Sequence, residues 1–446
     1  MADMFLLATF LASAVTATSL AKLGCTTDTV HAGVSTNGTI RMNENPLLPF
    51  DSPMTDGFNS TVGEEWSFEA VSEDGKAGMG WMLSRGTIAG NPLAQRSIIT
   101  IVWPNGTRYM ESDFADVSTI QMCKDSTIGT WSNETSGMNW SFESSNDYSH
   151  TVVTIDSATI KGTITLDSLS PAVYPNGLVY PDSRGNALFA PYIYWAETVP
   201  VATTEVNLVV NGTPYTTKGI GGRERNWNSF NWASLSLTWN MLRATAGPYT
   251  LMAWVYTSKV DGQTYFTSMI MEGKEVVFRT QEREASTTST FGSFDLAYGG
   301  AVHLTSDPSG EPLPPSKHTG YVLEMVDPEA KKHWKFEIDY TQTVYLFPSS
   351  NVTRVGGFVG ALKGGLYTSF PPRTLPCLSS SNPTSTPSSP FPPKSTVVLT
   401  GLAWPLASSP RASSQNVFPN SKSSGRALNV INSSPSVQTN SSPIMV

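Results

Sequence analysis

Three short segments concentrate side chains able to hold a small apolar molecule and polarise one of its oxygens. The first reads Glu64-Glu65-Trp66-Ser67-Phe68-Glu69. The second runs Gly221-Gly222-Arg223-Glu224-Arg225-Asn226-Trp227-Asn228 and on through Trp232 and Trp239. The third, Gly247-Pro248-Tyr249, leads to Trp254 and Tyr256. Aromatic walls with a few convergent polar groups suit a pocket for an apolar ligand. Arg is always charged and offers several donors, so Arg225 could stabilise oxygen-centred charge without transferring a proton. Arg225 or Asn226 is therefore the expected carbonyl hydrogen-bond donor, and Tyr249 could donate or pack. Trp66, Trp227 and Trp254 are the expected walls, with Glu65 and Trp232 beside them. The bland alternative is that these rings fill two β-cores. In that case Gly221-Gly222 is a linking turn, and Arg223 and Glu224 make a surface ion pair worth little.

Other chemistries find no support in the pattern. The chain has no HExxH, GxSxG, P-loop or CxxC motif. Its five histidines, His31, His150, His303, His318 and His333, lack partners at metal-ligand spacing, so neither a metal site nor a cofactor is expected. The run TKGIGG (residues 217–222) is not followed by a helix of the Rossmann type. No basic run exists and the net charge is −8, which argues against nucleic acid as a partner. A hydrophobic small molecule remains the expected partner, and oligomeric state is not legible.

The elements that must position these groups read as strands. Charged residues make up only 14% and aromatic residues 10% of the 446, a balance that favours sheet over helix. Trp66, Phe68 and Ala70 share one face of a period-2 strand, Glu73-Asp74-Gly75 turns, and residues 77–83 return. Asn211-Gly212, Asp261-Gly262 and Glu272-Gly273 mark further hairpins. Residues 235–242 are the one stretch with a short helical period. Residues 171–186, rich in Pro, Gly, Asn and Asp, read as loop. Residues 217–231, rich in Gly and Asn, mark a boundary between two β-domains, 22–217 and 218–370. From 371 onward Ser, Pro, Thr and Asn dominate, so residues 371–446 are expected to be a disordered low-complexity tail, dispensable for the folding of what precedes it.

The beginning of the chain points to the secretory pathway. Residues 4–15 (MFLLATFLASAV) form an apolar stretch of signal-peptide length, too short to span a bilayer, with small residues after it; cleavage is expected by residue 21. A buried N-terminal helix is the alternative. Seven sequons, at Asn37, Asn59, Asn105, Asn133, Asn139, Asn211 and Asn351, agree with secretion and glycosylation. Of three cysteines, Cys25 and Cys123 could pair in an oxidising compartment, leaving Cys377; three free thiols are equally compatible with the sequence.

Several blocks carry a family resemblance. EEWSFEAVSEDGK (residues 64–76) resembles the N-terminal strand–turn of the fungal Diels–Alderases, part of a lipocalin-like group that includes carotenoid hydratase-type proteins. GIGGRERNWNSFNW (219–232) and RATAGPYTLMAWVY (243–256) resemble the family's central block in order and spacing. TGYVLEMVDPEAKKHWKFEIDY (319–340) resembles its late hairpin, and FVGALKGG (358–365) the approach to its final strand. The resemblance covers residues 56–367. It implies two lipocalin-like β-barrel or sandwich domains with a pocket near their interface, and a cofactor-independent [4+2] cycloaddition. Within the family, the signal-like start and sequons favour a secreted branch associated with joining a tropolone-derived quinone methide to a humulene-type sesquiterpene. Intramolecular decalin formation, a non-catalytic carrier and an isoprenoid hydratase are the alternatives. The family continues past Gly365 with a strand that closes the second barrel, whereas here residues 367–370 run into the Ser/Pro-rich stretch.

Overall fold

In the computed structural model the described residues are almost entirely β. The structure describes residues 24–87, 93–281, 299–305, 320–327, 330–348, 353–366 and 395–405. The expected signal segment, Asn351, Cys377 and the tail beyond residue 405 lie outside the described residues.

Two antiparallel sheets carry the chain. The first, 13-stranded, is built from β1 (Thr26–His31), β2 (Gly63–Ser72), β3 (Gly78–Gly86), β4 (Gln95–Val102), β5 (Arg108–Ala115), β6 (Val117–Met122), β7 (Ser126–Asn133), β8 (Met138–Ser145), β9 (His150–Asp156), β10 (Ile160–Ser168), β11 (Leu188–Ala190), β12 (Ile193–Val210) and β13 (Thr213–Asn228). A one-turn helix, α1 (Trp232–Leu235), capped by the Asn231 side chain, leads into the second sheet. That 9-stranded sheet contains β14 (Ser236–Ala246), β15 (Tyr249–Ser258), β16 (Thr264–Glu272), β17 (Glu275–Thr280), β18 (Gly299–Thr305), β19 (Gly320–Asp327), β20 (Lys332–Pro348), β21 (Thr353–Leu366) and β22 (Ser395–Pro405). The four expected hairpin turns join β2–β3, β12–β13, β15–β16 and β16–β17. The all-β expectation holds.

Each sheet curls around its own apolar face. Trp66 on β2 meets Trp131 on β7 with ring centroids 5.1 Å apart, although those strands are far apart in the sheet order. Trp131 Nε1 donates to Ser84 O on β3, which gives its polar end a partner inside the core. In the second sheet, Phe278 on β17 reaches Trp334 on β20 at 5.5 Å. Cys25, just before β1, forms a disulfide with Cys123, which fixes the edge strand β1 beside β6.

Three expectations change. Gly221-Gly222 is not a linking turn: residues 213–228 are β13, hydrogen-bonded to β12 along its length and to β2 from Gly219 onward, and the change of sheet falls between Asn228 and Ser236. Glycine fits there because the backbone of β2 comes close; a Cβ on Gly221 would collide with Glu69 O. Residues 235–242 are mostly strand β14, because pairing with β15 overrides a weak local helical pattern. Residues 395–405, assigned by composition to the tail, form β22, paired with β14 on one side and β21 on the other. Their sequence, STVVLTGLAWP, is a β-branched apolar run inside a Ser/Pro-rich context, and it supplies a strand where the approach at residues 358–365 leads.

Candidate functional site between the sheets

Period-2 alternation decides what each residue of β13 can touch. In an antiparallel pair, directly opposed residues share a face. Asn226 opposes Glu65 on β2 and Trp195 on β12; Glu224 opposes Glu197; Gly222 opposes Glu69. One face of the first sheet therefore displays Glu65, Glu69, Trp195, Glu197, Glu224, Asn226 and Asn228. The second sheet packs on this face. Phe189 and Trp195 of the first sheet cluster with Met241, Met252, Trp254, Tyr256, Met269 and Met271 of the second; Trp239 on β14 joins them, and Trp232 joins from the crossover helix.

The rings form a continuous wall. Phe189 stacks on Trp254 at 4.3 Å, Trp195 meets Trp254 edge-on at 5.0 Å, and Trp232 meets Trp239 edge-on at 4.8 Å. Polar groups line the same space. Trp232 Nε1 donates to Glu65 Oε1 at 2.8 Å, and Trp195 Nε1 donates to Glu224 Oε2 at 2.8 Å. Burial pushes the Glu65 carboxyl up to about 7; the hydrogen bond from Trp232 opposes the shift and the Glu224 charge adds to it. Asn226 hydrogen-bonds the Glu224 side chain, while its Oδ1, like Asn228 Oδ1 and Trp239 Nε1, is buried with no partner among the described residues. Buried orphan polar atoms beside an aromatic wall suit a bound molecule that brings its own polar groups.

The expected site residues divide among three places. Glu65, Asn226, Trp232 and Trp254 come together between the sheets. Trp66, Arg225 and Trp227 point into the curl of the first sheet. There Arg225 Nη2 pairs with Glu64 Oε2 at 2.6 Å, Nη1 donates to Asn226 O and Glu65 O, and the guanidinium lies 3.6 Å from the Trp66 ring centroid. With its fork engaged in the core, Arg225 does not reach the space between the sheets. Tyr249 lies on the opposite face of β15 from Trp254, against the second sheet's own core. The imagined surface pair of Arg223 and Glu224 does not form either. Arg223 is fully buried, paired with Asp51 and stacked on Phe68 and Phe142, whereas Glu224 faces the other way.

Sequence reasoning missed Trp195, Glu197, Glu69, Phe189 and Arg243. The available signal was the alternation Glu65-Ser67-Glu69 against Trp66-Phe68-Ala70, which reads as a strand with a wet face. That face is dry only because the second sheet covers it.

The comparisons agree with this architecture. The profile of the Diels-Alderase-like family matches residues 23–370. The chain is 34% identical over 322 residues to Diels-Alderase ffsF of Aspergillus flavipes, covering 71% of this chain and 76% of that one. It is 32% identical over 324 residues to Diels-Alderase cheD of Chaetomium globosum, covering 72% and 74%. Among solved structures, crystalline CghA superposes with a TM-score of 0.64 at 22% identity, over 86% of this chain and all of that one, and so shares the fold. On the family match and these identities, carried on a two-sheet fold that encloses an aromatic cleft, the chain belongs to the Diels-Alderase-like family.

Proposed function

We propose that the protein is a pericyclase that performs a [4+2] cycloaddition in fungal secondary metabolism, with its substrate held between the two sheets. The observation that carries this reading is the pairing of one aromatic wall, Phe189-Trp195-Trp254-Trp232, with buried polar groups at Glu65 and Asn226. A cycloaddition forms two bonds by redistributing the substrate's own π electrons. It calls for a pose rather than a nucleophile, and so needs no cofactor. Entropy prepaid in binding can supply ~7–11 kcal/mol of the barrier. The aromatic wall shapes that pose and excludes water. With its carboxyl pushed up to about 7, Glu65 keeps its proton in a large share of molecules at neutral pH. A protonated carboxyl can donate to a dienophile or heterodiene carbonyl as charge builds on its oxygen. The donor role expected of Arg225 is thus reassigned to Glu65, with Asn226 beside it.

Within this reaction class we favour intermolecular joining of a quinone methide to a humulene-type alkene over intramolecular decalin formation. The Cys25–Cys123 disulfide and the exposed sequon residues Asn37, Asn105, Asn139 and Asn211 support an oxidising, secretory setting. The test is product formation by the purified full-length protein from two probes: humulene with a tropolone-derived quinone methide precursor, and a linear polyenyl tetramic acid. Acceleration and a fixed stereochemistry with the first probe are the expected result. Turnover of the second alone would overturn the choice between them. Binding without acceleration would make the protein a carrier, and incorporation of solvent oxygen would make it a hydratase.

A further inference from the structure

Arg243 on β14 belongs to the second sheet but spends its charge on the first. Its Nε pairs with Glu69 Oε2 at 3.0 Å, and its Nη1 with Glu197 Oε2 at 2.9 Å. Nη1 also donates to Val199 O and Pro200 O, at 3.2 and 3.1 Å. Both carboxylates and the guanidinium are buried. A third carboxylate, Glu224, stands directly opposite Glu197 across the β12–β13 ladder, where the guanidinium's charge acts on it, and accepts a hydrogen bond from Trp195 Nε1. The room for this insertion exists because residue 222 is glycine. A Cβ there would overlap Arg243 Nη1 and come within 2.6 Å of Val199 O and 2.8 Å of Pro200 O.

We propose that Arg243, admitted by Gly222, is a positioning residue for the cleft. It pairs with Glu69 and Glu197, and through Glu197 and its cross-strand neighbour Glu224 it fixes Trp195 beside the cleft. This rests on the cleft between the sheets being the reaction site. The route runs from Arg243 to Glu197 at 2.9 Å, across the β12–β13 ladder to the directly opposed Glu224, and from the Glu224 carboxylate to Trp195 Nε1 at 2.8 Å. Trp195 in turn packs edge-on against Trp254 at the centre of the wall.

The charge count explains why one arginine governs the whole group. Three carboxylates around one guanidinium would carry two uncompensated negative charges in a buried space if all were ionised. Burial instead holds Glu69 up to about 7 and raises Glu224 and Glu197 as well. Glu65 and Arg225 are the next charges out, acting on the group through Glu224 and Glu65. On its own sheet Arg243 pairs with Met252 and Val398, which add no charge. Weakening the arginine's grip therefore raises these carboxyls further and loosens the orientation of Glu224.

The test compares the full-length wild type with Arg243→Lys, Gly222→Ala and Glu224→Gln, each first checked for an unchanged far-ultraviolet circular dichroism spectrum. One readout needs no substrate: the near-ultraviolet dichroism of tryptophan, whose Trp195 share is set by Trp195→Phe, followed across about pH 5.5–8.5. The other is kcat, KM and product ratio over the same range, with whichever of the two cycloaddition probes the wild type turns over. Arg243→Lys keeps the charge but loses the fork. It should weaken the Trp195 signal, move the pH midpoint upward and lower kcat by ~10-fold or more, with a smaller change in KM. Gly222→Ala should do the same without altering any charge, and Glu224→Gln should flatten the pH dependence. If Arg243→Lys and Glu224→Gln both fold and keep the wild-type tryptophan signal and pH midpoint, the proposal is overturned. If wild type turns over neither probe, the reaction assignment fails. The positioning role is then judged on the tryptophan signal alone.

Discussion

Arg225 and Asn226 are consecutive in the chain and face opposite sides of one sheet. Arg225 pairs with Glu64 and stacks on Trp66 inside the first curl, while Asn226 lies between Glu65 and Trp195 on the face that the second sheet covers. Two side chains that look interchangeable as donors on paper therefore stand in separate places, one in a buried ion pair and one in the cleft, and the proposed jobs follow from those places.

Mutation separates those jobs. Arg225→Ala strips the cation from a fully buried pair and leaves Glu64 uncompensated, which should cost about 3–5 kcal/mol and show as a large fall in the denaturation midpoint. Asn226→Ala should leave that midpoint much closer to wild type and slow turnover by ~10-fold, equivalent to about 1.4 kcal/mol of transition-state stabilisation. Equal stability losses in the two variants would contradict the division of faces.

Stability should fall as pH rises through the range in which the cleft carboxyls titrate. Glu65 and Glu69 are held up to about 7 in the folded state against an ordinary value of 4.5, so between those values the folded chain binds more protons than the unfolded one. Under that condition the unfolding free energy decreases with rising pH. Glu65→Gln removes one of these protons from the balance and should flatten the curve over that window. Urea midpoints measured at several pH values, wild type against variant, are the check.

The disulfide closes a separation of 98 residues and ties down β1, an edge strand whose one partner in the sheet is β6. Replacing Cys25 and Cys123 together by Ser should lower stability by about 2–4 kcal/mol, read as a shift of the denaturant midpoint, with the cleft intact.

Truncation tests β22. A chain ending at residue 406 keeps that strand and should remain monodisperse with a β-type dichroism spectrum. A chain ending at residue 370 loses it and exposes facing edges on β14 and β21. Such unpaired edges template association, so the shorter chain should aggregate on size-exclusion chromatography.

Much of the fold follows from local chemistry. Period-2 apolar runs and Asn-Gly, Asp-Gly and Glu-Gly turns fix hairpins wherever they occur, because turn geometry and alternation are properties of adjacent residues. The sequence alone therefore determined an all-β chain, most of its strands, and the aromatic and polar residues from which a cleft could be made. Even Cys25 and Cys123 were visible as a candidate pair. Tertiary structure decided what those residues do. Alternation says that Trp66 and Glu65 face opposite ways, but not which side is wet. The second sheet, folding back across Glu65, Glu69 and Glu224, buried the side that reads as solvent-facing. Only that contact over long sequence separation could bring Arg243 to Glu197, or Trp232 to Glu65. The same holds for β22, whose eleven residues form a short β-branched run that the surrounding Ser/Pro composition masks. What recruits them is the pair of open edges on β14 and β21, and those edges exist only once the second sheet has formed.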